Sequence, residues 1–222
     1  MPLEAVVSPS STPQALYADD SLLVFDKPAG LLSVPGRGAD KQDCLASRVQ
    51  ALYPDALVVH RLDMATSGLL LMARGLAAQR ALGLAFEQRR VDKRYTAVVS
   101  GVPQATGSGW QTIDLPIAVD WPRRPLRVID AATGQPCLTR WQALPCDRWP
   151  DATRLTLAPV TGRSHQLRVH LLAIGHPILG DALYAPAEVQ ARAPRLLLHA
   201  SELTLAHPLS GAELNFTSPA PF

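Results

Sequence analysis

The residues best able to do chemistry sit in one short stretch, HRLDMATSGLLLMA at 60–73. It sets an imidazole, a guanidinium and a carboxylate (His60, Arg61 and Asp63) within four positions. A carboxylate beside an arginine is favoured in its charged form. It can then act as a nucleophile or a base. The plainer reading is that Asp63 caps a turn and pairs with Arg61, which is what a lone loop aspartate usually does. A second cluster, TGRSHQLRVH at 161–170, has a Thr161-Gly162 turn, Arg163, and then a helical pattern. An arginine beside a helix start attracts anions, either a phosphate or another residue's carboxylate. The plainer reading is a solvated helix start. His165 and His170 are five apart and share no helix face, so they make a poor metal pair. Cys44, Cys137 and Cys146 form no CxxC pair, which argues against a cysteine zinc site and a disulfide framework. No GxGxxG or Walker motif occurs, so no cofactor or metal is expected.

These groups need elements to hold them. The 222-residue chain is long enough to bury a sizeable core. Residues 1–15 read as a mobile lead-in, and 16–222 as a single catalytic domain. The patterns predict strands at 22–26, 56–60, 68–73, 94–100, 154–160 and 213–218. They predict a hairpin over 128–144 turning at Thr133-Gly134. Asp43 is expected to cap a helix to about Tyr53, with Leu45, Val49 and Leu52 on one face. A helix over 76–90 is expected to share a face among Leu76, Leu82 and Phe86. Another, over 164–175, is expected to have Ser164 as N-cap and Gly175 just past its end. Residues 196–206 fit strand or helix equally. Strands outnumber helices and do not alternate with them regularly, so the expected class is α+β. Asp63 then falls in a loop between two strands, where catalytic groups tend to sit.

Hydrophobic residues make up 47% and charged residues 18%, a composition that excludes a disordered chain. No uncharged apolar run approaches membrane-spanning length and no signal peptide is visible, so the expected location is the cytoplasm. The net charge of +2 hides an asymmetry: residues 48–169 carry sixteen Lys/Arg against nine Asp/Glu, and both flanks are acidic. Eighteen of the 21 basic residues are arginine, whose planar fork suits phosphate. A polyanionic partner is permitted by this pattern, as is a genome rich in arginine codons.

HRLDMATSGLLL, then RYTAVVSG at 94–101, then TGRSHQLRVH resemble the RluA family of pseudouridine synthases. KPAGLLSVPGR at 27–37, GHPILGDALYA at 175–185 and RLLLHASEL at 195–203 are similar to the same family. The resemblance runs from about Tyr17 to the C-terminus. VPGR, DWPRRP at 120–125 and APRLLLHA at 193–200 bring it closest to the short members with dual specificity for ribosomal and transfer RNA. It implies a mixed, mainly antiparallel sheet with flanking helices and a central RNA cleft. It also implies that no S4 RNA-binding domain is present, since too few residues precede the first strand. By resemblance, Asp63 is the catalytic aspartate. Tyr95 is the tyrosine that stacks on the uracil and assists removal of the C5 proton. Arg163 is the arginine that pairs with the catalytic carboxylate. Among substrate-binding residues, Arg61 fills the gap left by the flipped nucleotide and Leu197, one of three consecutive leucines, packs on the base. His60 belongs to the same group.

The implied reaction breaks the N1–C1′ bond of a uridine, turns the base and joins C5 to C1′. It needs neither cofactor nor metal. The uridine must leave its stack, at a cost of a few kcal/mol. A glycosidase typically needs two flanking carboxylates, and Asp63 has no acidic neighbour in its motif. The implied partners are ribosomal and transfer RNA stem-loops, with no membrane and no obligate protein partner, and a monomer is expected. The competing readings are a family member with another RNA target, an RNA-binding or RNA-folding protein on the same scaffold, and a small-molecule nucleosidase.

Overall fold

A computed structural model describes residues 12–105, 109–144, 146 and 148–222. Most of the expected lead-in, residues 1–11, lies outside the described residues. The chain runs β1 (Ala15–Ala18), β2 (Leu22–Lys27), α1 (Leu45–Gln50), β3 (Ala56–Val58), β4 (Ser67–Arg74), α2 (Gly75–Glu87), β5 (Asp92–Ser100), β6 (Gln111–Asp114), β7 (Ile117–Val119) and β8 (Arg127–Ile129). It continues with β9 (Leu138–Leu144), β10 (Ala152–Pro159), α3 (Gln166–Ala173), α4 (Ala187–Gln190), β11 (Leu198–Ala206) and β12 (Glu213–Thr217).

One large sheet has the order β1-β2-β4-β11-β5-β10-β9-β6, with β3 also paired to β4 and β12 to β11. Every pairing is antiparallel except β4 with β11, so the class is α+β. β4 shows why its sequence is a continuous apolar run. Ser67 to Ala73 are all buried, as expected of a central strand covered on both faces. Its alternation sorts Leu70 and Met72 into a core beneath α1. Leu69, Leu71 and Ala73 enter a second core beneath α2. A third core joins β5 and β10 to α3 and the 178–198 segment.

The structure corrects several expectations. Residues 128–144 form no hairpin: β8 pairs with β7 in a separate two-stranded sheet, while β9 joins the large sheet. The Thr133-Gly134 turn exists, but Asp130 holds it by accepting from Ala132 N, Thr133 N and Thr133 Oγ1. Such a side-chain turn links strands without pairing them. Helix α1 is capped by Cys44, whose Sγ accepts from Ser47 N at 3.3 Å, while Asp43 pairs with Arg48. Leu52 and Leu76 are about half exposed or more (48% and 62%), and Ala78 joins Leu82 on the buried face of α2. The N-cap of α3 is His165, in the left-handed region at φ 59°, and Gly175 follows the helix at φ 84° as expected. The ambiguous 196–206 stretch supplies strand β11.

Candidate active site

The Asp63 loop is held from beneath by residues 27–33. Gly30 N donates to Met64 O at 2.8 Å. Ser33 Oγ donates to Leu62 O at 2.7 Å and accepts from Leu62 N at 3.0 Å. Lys27 is fully buried, and its Nζ donates to the carbonyls of Pro28, Leu31 and Met64. Burial pulls its ammonium down to about 7, against the opposing pull of Asp63. A turn from Thr66 N to Asp63 O then leads into β4. At its start Gly68 has φ +109°, and a Cβ there would lie 2.3 Å from Ala200 O. Only glycine lets β4 and β11 close so near the loop.

Asp63 itself is 27% exposed and faces an arginine and a histidine of the second cluster. Arg168 Nη1 lies 3.5 Å from Asp63 Oδ2, and His165 Nε2 lies 3.8 Å from Oδ1. Arg168 is in turn gripped by Asp181, with Nε to Oδ2 at 2.8 Å and Nη2 to Oδ1 at 2.5 Å, both side chains buried. Tyr184 lies under the guanidinium at 5.0 Å and shares a 2.5 Å hydrogen bond with His165 Nδ1. The arginine facing the carboxylate is therefore Arg168, in the first turn of α3, and not Arg163.

Arg163 is exposed and near Cys137; burial pushes the Cys137 thiol up, against the opposing pull of the Arg163 guanidinium. Its backbone N–H is fixed by Gln166 Oε1 at 3.0 Å, and Gln166 Nε2 donates to Leu138 O and Thr139 Oγ1. The helix start thus shapes the Thr161–Arg163 turn through a buried amide. Arg61 makes no short pair with Asp63; it reaches Ser164 Oγ at 3.3 Å across the cleft. His60 accepts from Leu71 N at 2.9 Å and stacks on Phe86 at 4.7 Å. Burial, helped by Lys93, pushes its imidazole down to about 3, so it stays neutral. That bond gives it a part in fixing the strand end, besides its place on the cavity wall. His170 bonds Thr139 Oγ1 and Leu115 O, away from His165.

Asp63, Tyr95, Arg163, His60, Arg61, His165 and Arg168 all line one cavity of about 940 Å³. Leu197 does not; it is buried in the core, and its neighbour Leu198 reaches the cavity wall. The wall carries seven Arg/Lys against three Asp/Glu, so an anionic polymer is favoured there. Burial and the Asp63 charge both raise the Tyr95 phenol, which keeps its proton near neutral pH. Sequence reasoning missed Arg168, His165, Asp181, Tyr184 and Lys27 as site residues. The signals were present: two arginines in TGRSHQLR compete for one carboxylate, and a lysine sits before a Pro-Ala-Gly turn.

A carboxylate faced by an arginine and a histidine in a basic cavity, set on this mixed sheet, fits a class of enzyme that works on a base held in RNA. The chain belongs to the RNA pseudouridylate synthase family, whose model matches residues 21–173. It is an isomerase that converts uridine in RNA to pseudouridine. Over 207 residues, 93% of both chains, it is 48% identical to the dual-specificity RNA pseudouridine synthase RluA of Escherichia coli (strain K12). It is 47% identical to the protein of the same name from Yersinia pestis, over 93% of this chain and 98% of that one. The solved structure of human RNA pseudouridylate synthase domain containing 1 superposes with a TM-score of 0.79 at 28% identity. That match covers 99% of this chain and 87% of the other.

Proposed function

We propose that this enzyme modifies uridines in ribosomal RNA and in transfer RNA stem-loops, a reading that the dual specificity in its relatives' name supports, acting as a cytoplasmic monomer through a single domain over residues 16–222. The observation that carries the mechanism is Asp63, the carboxylate that opens into the cavity between Arg168 and His165. The target uridine flips into the cavity, and Arg61, exposed at its rim, occupies the vacated stack. Asp63 drives cleavage of the N1–C1′ bond and its replacement by C5–C1′. The C5 proton leaves and N1 gains one, so atoms balance without a second substrate.

In this reading Arg168 and His165 aim Asp63, and Asp181 holds Arg168. Tyr95 stacks on the uracil with its phenol protonated, which makes it a face and a donor rather than a standing base. Leu198, in the place expected of Leu197, packs beside the base. Arg163 and the other wall arginines hold phosphates. Neither a cofactor nor a metal enters this scheme.

Purified protein, incubated with a transfer RNA anticodon stem-loop, a large-subunit ribosomal hairpin and free uridine, tests the reading. Pseudouridine is expected in both RNAs and not in free uridine. Equal turnover of free uridine would point to a nucleosidase, and product in one RNA alone would remove the dual specificity.

A further inference from the structure

Trp110 immediately precedes β6, the edge strand of the large sheet, and is 41% exposed on the wall of the Asp63 cavity. The guanidinium of Arg94 covers it at 5.3 Å from the ring centroid. Arg140, paired in register with Thr112 of β6, lines the same wall. A basic wall around an exposed aromatic ring is how single-stranded nucleic acid is held.

The reacting uracil lies between Asp63 and Tyr95, and Tyr95 is on β5. Two strands, β10 and β9, separate β5 from β6. Three strand spacings of about 4.8 Å put β6 about 14 Å from Tyr95's strand, so Trp110, just ahead of β6, serves a different base. The cavity's volume of about 940 Å³ is at the top of the range that holds a whole small ligand. It leaves room for a neighbouring nucleotide.

We propose that Trp110 is a stacking platform for an unpaired base flanking the target uridine. Arg94 braces the ring from one side, and Arg140 stands ready to meet a phosphate. This inference rests on the proposed function. It adds a specificity determinant: a nucleotide near the target must be unstacked to be bound.

The test is an abasic scan. Hairpin RNAs carrying the target uridine are made with a single abasic nucleotide at each flanking position in turn. They are assayed for pseudouridine with wild type, Trp110→Ala and Trp110→Phe. With wild type, one position is expected to raise KM about tenfold with kcat little changed. Trp110→Ala should show the same rise on intact RNA and no further rise at that position. Trp110→Phe should stay close to wild type. Additive losses at every position, or a wild type indifferent to every abasic site, would overturn the platform. Because the wild-type scan needs no variant, a poorly folding Trp110→Ala does not blunt it. No pseudouridine in the intact hairpin would instead contradict the proposed function, and this inference with it.

Discussion

At Asp63 the decisive contact is the chain Asp63–Arg168–Asp181, in which a buried carboxylate holds the guanidinium that faces the active one. Removing Asp181 leaves a buried arginine short of its main partner, a loss that typically costs about 3–5 kcal/mol. Asp181→Ala is therefore expected to lower the unfolding free energy by about that much and to reduce kcat more than it raises KM. Denaturant titration and steady-state kinetics on a hairpin RNA check both. His60 supplies a pH prediction. Its folded pKa lies near 3, below the unfolded value near 6.5, so the unfolded chain binds the extra proton in that window. Stability then falls as pH drops from about 6.5 towards 3, by about 1.4 kcal/mol per unit at most from this group. His60→Gln keeps an acceptor for Leu71 N–H without titrating, and its denaturant midpoint should fall less steeply over that range. The residue level was partly legible in sequence. Asp63 and Tyr95 stand out by motif and line the cavity. The pairing expected of Arg163 falls instead to Arg168, which lies 3.5 Å from Asp63 while Arg163 stays exposed.

The elements around the loop meet at unusually close quarters, and Gly68 is where that closeness is concentrated. A methyl group there would strike the backbone of Ala200 at a φ that other residues avoid. Gly68→Ala is expected to destabilise the fold by about 3 kcal/mol or more and to displace the Asp63 loop. Urea unfolding together with activity at saturating RNA would show it, and unchanged stability would mean β4 and β11 can separate freely. Strand positions were well read wherever the apolar pattern was strong, as in β2, β4, β5 and β10. The 128–144 hairpin failed because Gly134 and Asp130 signal a turn without saying which strands it joins. Strands β6 and β7 are three or four residues long, too short for a periodic pattern to declare itself.

Across the whole molecule, the basic middle of the sequence becomes the wall of one cavity, with seven cations against three acids. Binding to RNA should accordingly weaken with salt. For about four phosphate contacts to a single strand, the dissociation constant is expected to rise about 50-fold between 50 and 200 mM salt. A salt-independent affinity would place the RNA elsewhere. Among the described residues no Asp or Glu of the acidic flanks lines that cavity, although Asp181 stands directly behind Arg168, so a net charge of +2 said little and its distribution said more.

The measurement that bears most directly on the central claim is a pseudouridine map of total RNA from cells lacking this protein, compared with the same cells given back wild type or Asp63→Asn. The account predicts missing pseudouridine in a ribosomal hairpin and in transfer RNA stem-loops, restored by wild type and not by Asp63→Asn, although the variant folds and binds RNA. Restoration by Asp63→Asn, or an unchanged map, would contradict it.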